Sequence, residues 1–196
     1  MPWYGWSISA TTCQTGAKLA EVEGTTCSDC YALKGNYRWN VVKAAHERRL
    51  AALDHPNFVE AFALVLNTLL DRQRTKENRF RWFDSGDLQS VEMLAKIVEI
   101  ARRTPRVRHW LPTREYKFVR YYLAFGGEIP DNLVIRMSHP WLGEEPRGRM
   151  LGLPFSTVGV EQRALTSIQC GAAEQGNKCL DCDACWRRVD INYRLH

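Results

Sequence analysis

The sequence predicts an α/β protein: a partial (β/α) barrel or open parallel sheet, followed by a cysteine-rich, metal-binding C-terminal tail. Three observations carry this expectation. Short runs rich in β-branched and aromatic residues alternate with stretches whose apolar positions recur near every 3.6 residues, as in successive βαβ units. Polar and reactive residues follow each proposed strand, where such sheets place their ligands. All seven cysteines fall in two groups, three up to position 30 and four from position 170 onward.

The elements follow in order. Trp6–Ala10 (WSISA) reads as a strand leading to Cys13. Residues 40–75 read as helix, split at Asp54-His55-Pro56, where Pro56 suits the first turn of the second helix. Arg79–Phe83 is a strand, and Ser90–Arg103 an amphipathic helix with Ser90 as N-cap. Val107–Leu111 is a strand, Glu115–Phe125 a helix stopped by Gly126-Gly127, and Leu133–Met137 and Phe155–Val160 are further strands. Right-handed crossovers put the helices on one side of these five strands. We read one domain, with residues 1–165 as the α/β part and 166–196 as the tail.

A chain of 196 residues, 45% hydrophobic, buries a core without needing disulfides. The longest apolar run, Ala61–Leu66, is far short of the ~20 residues of a membrane span. The first residues lack a basic stretch followed by an apolar one, so we expect no secretion signal and a cytoplasmic location. In that compartment seven cysteines, an odd number, point to metal rather than disulfides. The formal charge is +5, and 20 of the 27 basic residues are arginine. Arginine suits bidentate phosphate contacts and stacking on bases, which favours a nucleic acid or phosphorylated substrate. A GC-rich genome produces the same bias with no functional demand.

The first cysteine group is Cys13, Cys27 and Cys30, and the second is Cys170, Cys179, Cys182 and Cys185. Two-residue spacing lets consecutive thiolates address one metal from a tight loop. The second group can surround Zn²⁺ or complete a [4Fe–4S] cluster. The first needs a fourth ligand to close a site, and a cluster held by three cysteines leaves one iron open for chemistry. One composite site drawing on both groups is an alternative, as is a tail stapled by metal for folding alone.

Asp84 and Asp87 follow the strand Arg79–Phe83 and pair as general base and as substrate or cofactor anchor. Ser90 is available to cap the next helix, which frees the two aspartates from that role. Arg114 follows the next strand and is suited to a carboxylate or phosphate, with Thr113 as a helix cap. His139 reads as a turn residue, and His46, His55 and His109 as surface or core. Trp3, Tyr4, Trp6 and Trp186, interleaved with arginine, are of the kind that stacks on bases, whereas Trp82 and Trp110 read as core.

The segments SISATTCQTGAKL and CSDCYALKGNY, with FDSGDLQS, WLPTREY and NLVIRMS, resemble the phage gene product 88 family over most of the chain. More distantly the chain is similar to the phage gene product 37/68 family, a group related to radical S-adenosylmethionine enzymes. That resemblance implies a partial barrel in which Cys13, Cys27 and Cys30 hold the cluster and Tyr31 is the aromatic that follows. Ser85, Gly86 and Asp87 then occupy the place of the segment that holds the amino group of S-adenosylmethionine, and the four tail cysteines hold an auxiliary cluster. Those enzymes space their cysteines C-x3-C-x2-C, whereas the first gap here is 13 residues.

A second resemblance is to the tRNA-guanine transglycosylases, whose DSGGFQ loop is similar to Asp84-Ser85-Gly86-Asp87-Leu88-Gln89. It implies base exchange with Asp84 as the acting carboxylate, and structural zinc on Cys179, Cys182 and Cys185 with His196 as fourth ligand. A third possibility is a non-catalytic nucleic-acid-binding module stabilised by metal.

Overall fold

A computed structural model describes residues 4–72, 78–161 and 166–195. Its elements run β1 (Gly5–Trp6), α1 (Gln14–Ala20), α2 (Asn40–Ala52), α3 (Phe58–Arg72), β2 (Arg79–Trp82), α4 (Val91–Arg103), β3 (Arg108–Thr113), α5 (Tyr116–Ala124), β4 (Leu133–Leu142), β5 (Phe155–Val158), β6 (Ile168–Gln169) and β7 (Ile191–Tyr193). Among the described residues seven strands form one open sheet in the order β1-β2-β3-β4-β5-β7-β6, and every pairing is parallel.

Strands β1 to β5 lie side by side in chain order, so each crossover returns to the adjacent position. Alternation along the strands then divides the two faces. Phe80, Trp82, Leu111, Leu133, Ile135 and Met137 join the apolar residues of the helices in the core. Arg79, Arg81, Trp110 and Arg136 belong to the opposite parity, which carries the tail. There the Trp186 indole donates to the Phe80 carbonyl at 2.9 Å and meets Trp110 edge to face.

Arg136 is completely buried, and its guanidinium donates to the carbonyls of Phe155, Ala184, Cys185, Arg187 and Val189. One sheet residue thus orders the tail around it. The segment expected as a cysteine-rich, metal-binding tail adds two strands to the sheet. Ile168–Gln169 and Ile191–Tyr193 are too short to show periodicity, so the five strands expected from sequence become seven.

The other differences are local. The first strand stops at Trp6 rather than Ala10. Its neighbour ends where Phe83 turns to φ 53°, a region costly for a bulky residue, and the paired run ends with it. Strand β3 continues through Pro112. Its pairing with β2 ends at Trp110, so that side is an edge beyond this point and tolerates a residue without an N–H. Strand β4 runs through Pro140 to Leu142, held by the loop that carries Cys27. Thr26 N–H donates to the Pro140 carbonyl at 2.8 Å, and Leu142 N–H to that of Gly24 at 2.9 Å.

Helix α4 starts as expected, with Ser90 Oγ accepting the Met93 amide at 3.1 Å. The helical stretch splits as expected, although its second half starts at Phe58, after Pro56, and the expected end at Thr75 lies outside the described residues. No helix among the described residues is long and apolar enough to cross a membrane.

Candidate metal centre at the sheet rim

The carboxyl ends of β1, β2 and β3 converge on one rim. Beyond β1 the chain bends at Ser9 into a short 3-10 turn, and Cys13 stands between that turn and α1. Its position is fixed by Glu115, a fully buried carboxylate just past β3. Glu115 accepts the Thr15 amide at 2.7 Å and the Thr15 hydroxyl at 2.9 Å. The sequence marks Glu115 only as the first residue of a helix. Nothing local distinguishes a carboxylate whose partner lies 100 residues away.

The loop after β2 is built by close backbone approach. Ile8 N–H donates to the Ser85 carbonyl at 3.3 Å, and the Ser85 hydroxyl returns to the Ile8 carbonyl at 2.5 Å. Gly86 lies at φ 77°, and a Cβ there would fall 2.4 Å from Ile8 Cγ1 and 2.8 Å from the Ile8 oxygen. Only glycine fits this position. Ser85 and Gly86 therefore hold two loops together, which brings Asp87 to the rim.

Asp87 is buried. It accepts from the Thr113 hydroxyl at 2.5 Å and from the amides of Leu88 and Arg114 at 2.8 Å each. Burial pushes its pKa up to about 6, while those donors and the Arg114 guanidinium pull the other way. Thr113 is not the N-cap of α5, a position held by Glu115; its hydroxyl donates to Asp87 and its oxygen accepts the Glu115 amide at 3.0 Å.

Asp84 stands at the same rim with different company. Tyr37 donates to its carboxylate at 3.0 Å and Tyr31 to its backbone carbonyl. Tyr37 in turn stacks on buried His46.

The structure brings Cys13, Cys27 and Cys30 together. Gly16 lies against two of them: a Cβ there would stand 3.1 Å from Cys13 Cβ, 3.6 Å from Cys27 Sγ and 3.7 Å from Cys13 Sγ. Burial raises the Cys13 thiol pKa to about 12, and Asp87, Cys27 and Cys30 push the same way while Arg114 opposes them. Burial also raises Cys27, and here the Arg114 guanidinium is the chief opposing influence. Arg114 is oriented by a hydrogen bond to the Thr26 hydroxyl, next to Cys27.

The tail cysteines form a second gathering. Cys170 lies within electrostatic reach of Cys179 and Cys182, and Cys185 of Cys170 and Cys179. Cys185 Sγ is 3.4 Å from the Tyr193 hydroxyl and close to the Arg136 charge. Burial lifts its thiol pKa to about 11.

All seven cysteines are free thiols. Among the described residues no group of three or more His, Cys, Asp or Glu side chains stands in metal-ligating geometry. A thiol set of this kind closes when the metal displaces its protons. The donor chemistry suits a thiophilic centre: Cys27 and Cys30 lie within electrostatic reach of Cys13, and the Arg114 guanidinium offsets charge on Cys13 and Cys27.

The other candidates separate clearly. His109 is fully buried and takes the Trp82 indole N–H on Nδ1 at 3.3 Å; its Nε2 lies 2.8 Å from the Thr104 hydroxyl. Trp82 and Trp110 are buried, as expected. Trp6 and Trp186 are buried too, so neither is available to stack on bases. Trp3 and His196 lie outside the described residues.

No curated protein and no solved structure matches the chain. A family model described as gene product 88 matches residues 3–146. The match takes in Cys13, Cys27, Cys30, the Asp84–Asp87 loop, Arg114 and Glu115, and stops before the four tail cysteines. The chain therefore belongs to the gene product 88 family.

Proposed function

We propose that this protein is an iron–sulfur enzyme of radical-S-adenosylmethionine-like type that acts on a nucleic acid or nucleotide, with Cys13, Cys27 and Cys30 as the ligands of a [4Fe–4S] cluster. The observation that supports it most is the meeting of three thiols from two separate loops at the carboxyl rim of a parallel sheet, beside Arg114 and Asp87. Three thiolates leave one iron of such a cluster without a protein ligand, and a bound cluster supplies one-electron chemistry there.

This chain's own residues do the rest. Glu115 and the Ser85–Ile8 contacts hold the three loops in register. Arg114 offsets thiolate charge and, with Asp84 and Asp87, offers both signs of charge to a cofactor bearing an amino group and a carboxylate, such as S-adenosylmethionine. The four tail cysteines hold a second cluster or a zinc ion.

The test is anaerobic purification with iron and sulfide analysis, then equilibrium binding of S-adenosylmethionine. A coloured, iron-loaded protein that binds it supports the reading, and an iron-free protein rejects it. The Asp84 carboxylate, held at the rim by Tyr37, also favours base exchange as a second reading. That reading predicts a colourless zinc protein whose activity disappears in Asp84→Asn.

A further inference from the structure

The chain leaving Cys30 is poorly covered. From Tyr31 it makes two 3-10 turns, Tyr31–Leu33 and Gly35–Arg38, and then enters α2 at Trp39. Tyr31 and Trp39 are each 59% exposed, Val41 is 69% exposed, and in α2 only His46 is buried. Large aromatics normally bury most of their surface, so the half-open rings of Tyr31, beside Cys30, and of Trp39 at the head of α2 stand out.

Charge follows the same stretch. Between Tyr31 and Arg49 there are five basic residues and one acidic residue. Arg38, Lys43 and Arg48 are exposed and have no carboxylate partner among the described residues. Elsewhere the surface arginines are mostly neutralised: Arg103, Arg106, Arg108, Arg149, Arg188 and Arg194 each face an aspartate or glutamate. Unpaired cations alternating with exposed rings match a polyanion that carries flat, stackable groups. A folded protein partner would instead ask for a contiguous apolar patch, and a duplex hides its base faces.

The surface also joins the rim. The Tyr31 hydroxyl reaches the Asp84 carbonyl, Tyr31 packs edge to face on Tyr37, and Tyr37 donates to the Asp84 carboxylate. A strand lying across these rings would be led from Trp39 to Tyr31 and on to the Cys30 side of the centre.

We infer that residues 31–48 form a docking surface for single-stranded nucleic acid, with bases stacked on Trp39 and Tyr31 and phosphates held by Arg38, Lys43 and Arg48. The inference rests on the proposed reactive centre at Cys13, Cys27 and Cys30, because it names what that centre receives.

The test is fluorescence anisotropy on the full chain, with labelled single-stranded DNA and RNA of roughly 20 nucleotides and the matching duplex. The expected result is single-strand binding that weakens steeply with salt, and the DNA and RNA arms tell which strand is preferred. Trp39→Ala should weaken it roughly tenfold. Arg38→Glu with Lys43→Glu should also reduce the salt slope by about two. Lys178→Glu, in the tail, should bind as the parent does. Iron content and visible absorption, read on every variant, should not change.

Wild-type binding in Trp39→Ala, equal loss in Lys178→Glu, tighter binding of duplex, or no binding at all would each overturn the docking surface. An iron-free parent that still bound single strands through Trp39 would reject the cluster and leave the surface standing.

Discussion

The Glu115 carboxylate grips Thr15 twice, at the backbone amide and at the side-chain hydroxyl, so a residue past β3 fixes the segment that carries Cys13. Glu115 is fully buried, and Lys117, 4.0 Å away, is its nearest cation among the described ion pairs. Replacing it with alanine leaves both Thr15 groups without their acceptor, at a cost of about 1–3 kcal/mol. Glu115→Ala should lower the thermal midpoint measurably and should speed the loss of iron to a chelator several-fold. A variant that melts earlier but releases iron at the parent rate would confine Glu115 to a folding role.

Gly86 is the tightest point of the rim. Gly86→Ala places a methyl group into Ile8 at a positive φ and should destabilise the fold by about 3 kcal/mol or more. Gly35 also has a positive φ but has open space around it, so Gly35→Ala should cost only about 1 kcal/mol. Denaturant unfolding of the two variants side by side measures the difference.

Ser90→Ala removes the acceptor of the Met93 amide at the start of α4 and should cost about 1 kcal/mol, with metal content unchanged. Chemical denaturation and metal analysis together check both halves of this expectation.

His109 makes stability depend on pH. Burial lowers its pKa from 6.5 to about 3, so between those values the unfolded chain binds a proton that the folded chain does not. Its contribution is complete above pH 6.5 and falls as pH drops toward 3, with a limiting slope of about 1.4 kcal/mol per pH unit. Asp87 has the opposite sign. Its folded pKa of about 6 lies above the ordinary 3.8, so it costs stability as pH rises through that window. His109→Gln should be less stable at neutral pH and show a shallower loss between pH 6.5 and 5 than the parent. Parallel stability curves would contradict the role given to His109.

Much of the frame was legible in the sequence because it rests on local signals. The α4 cap, the two halves of the long helical stretch and the strand β2 all follow from spacing and capping chemistry. The polar loops at strand ends were also legible, since parallel topology alone sends Asp87 and Arg114 to one rim.

What was hidden depends on partners remote in the chain. The Glu115–Thr15 grip, the five carbonyls around Arg136 and the last two strands have no local signature. Composition did mark aromatics as significant, but burial reassigned them. Trp6 and Trp186 went to the interior, Tyr4 stayed half-exposed, and Trp39, which local pattern does not distinguish, is exposed beside Tyr31 in the same stretch.

Iron and acid-labile sulfide content, with the visible spectrum, of anaerobically purified parent and Cys27→Ala proteins tests whether Cys13, Cys27 and Cys30 hold a cluster. The parent should be brown with a broad band near ~400 nm, and Cys27→Ala should lose the share of iron and absorbance belonging to the first cysteine group. Iron and absorbance identical in the two proteins, or a parent with neither, would contradict that assignment.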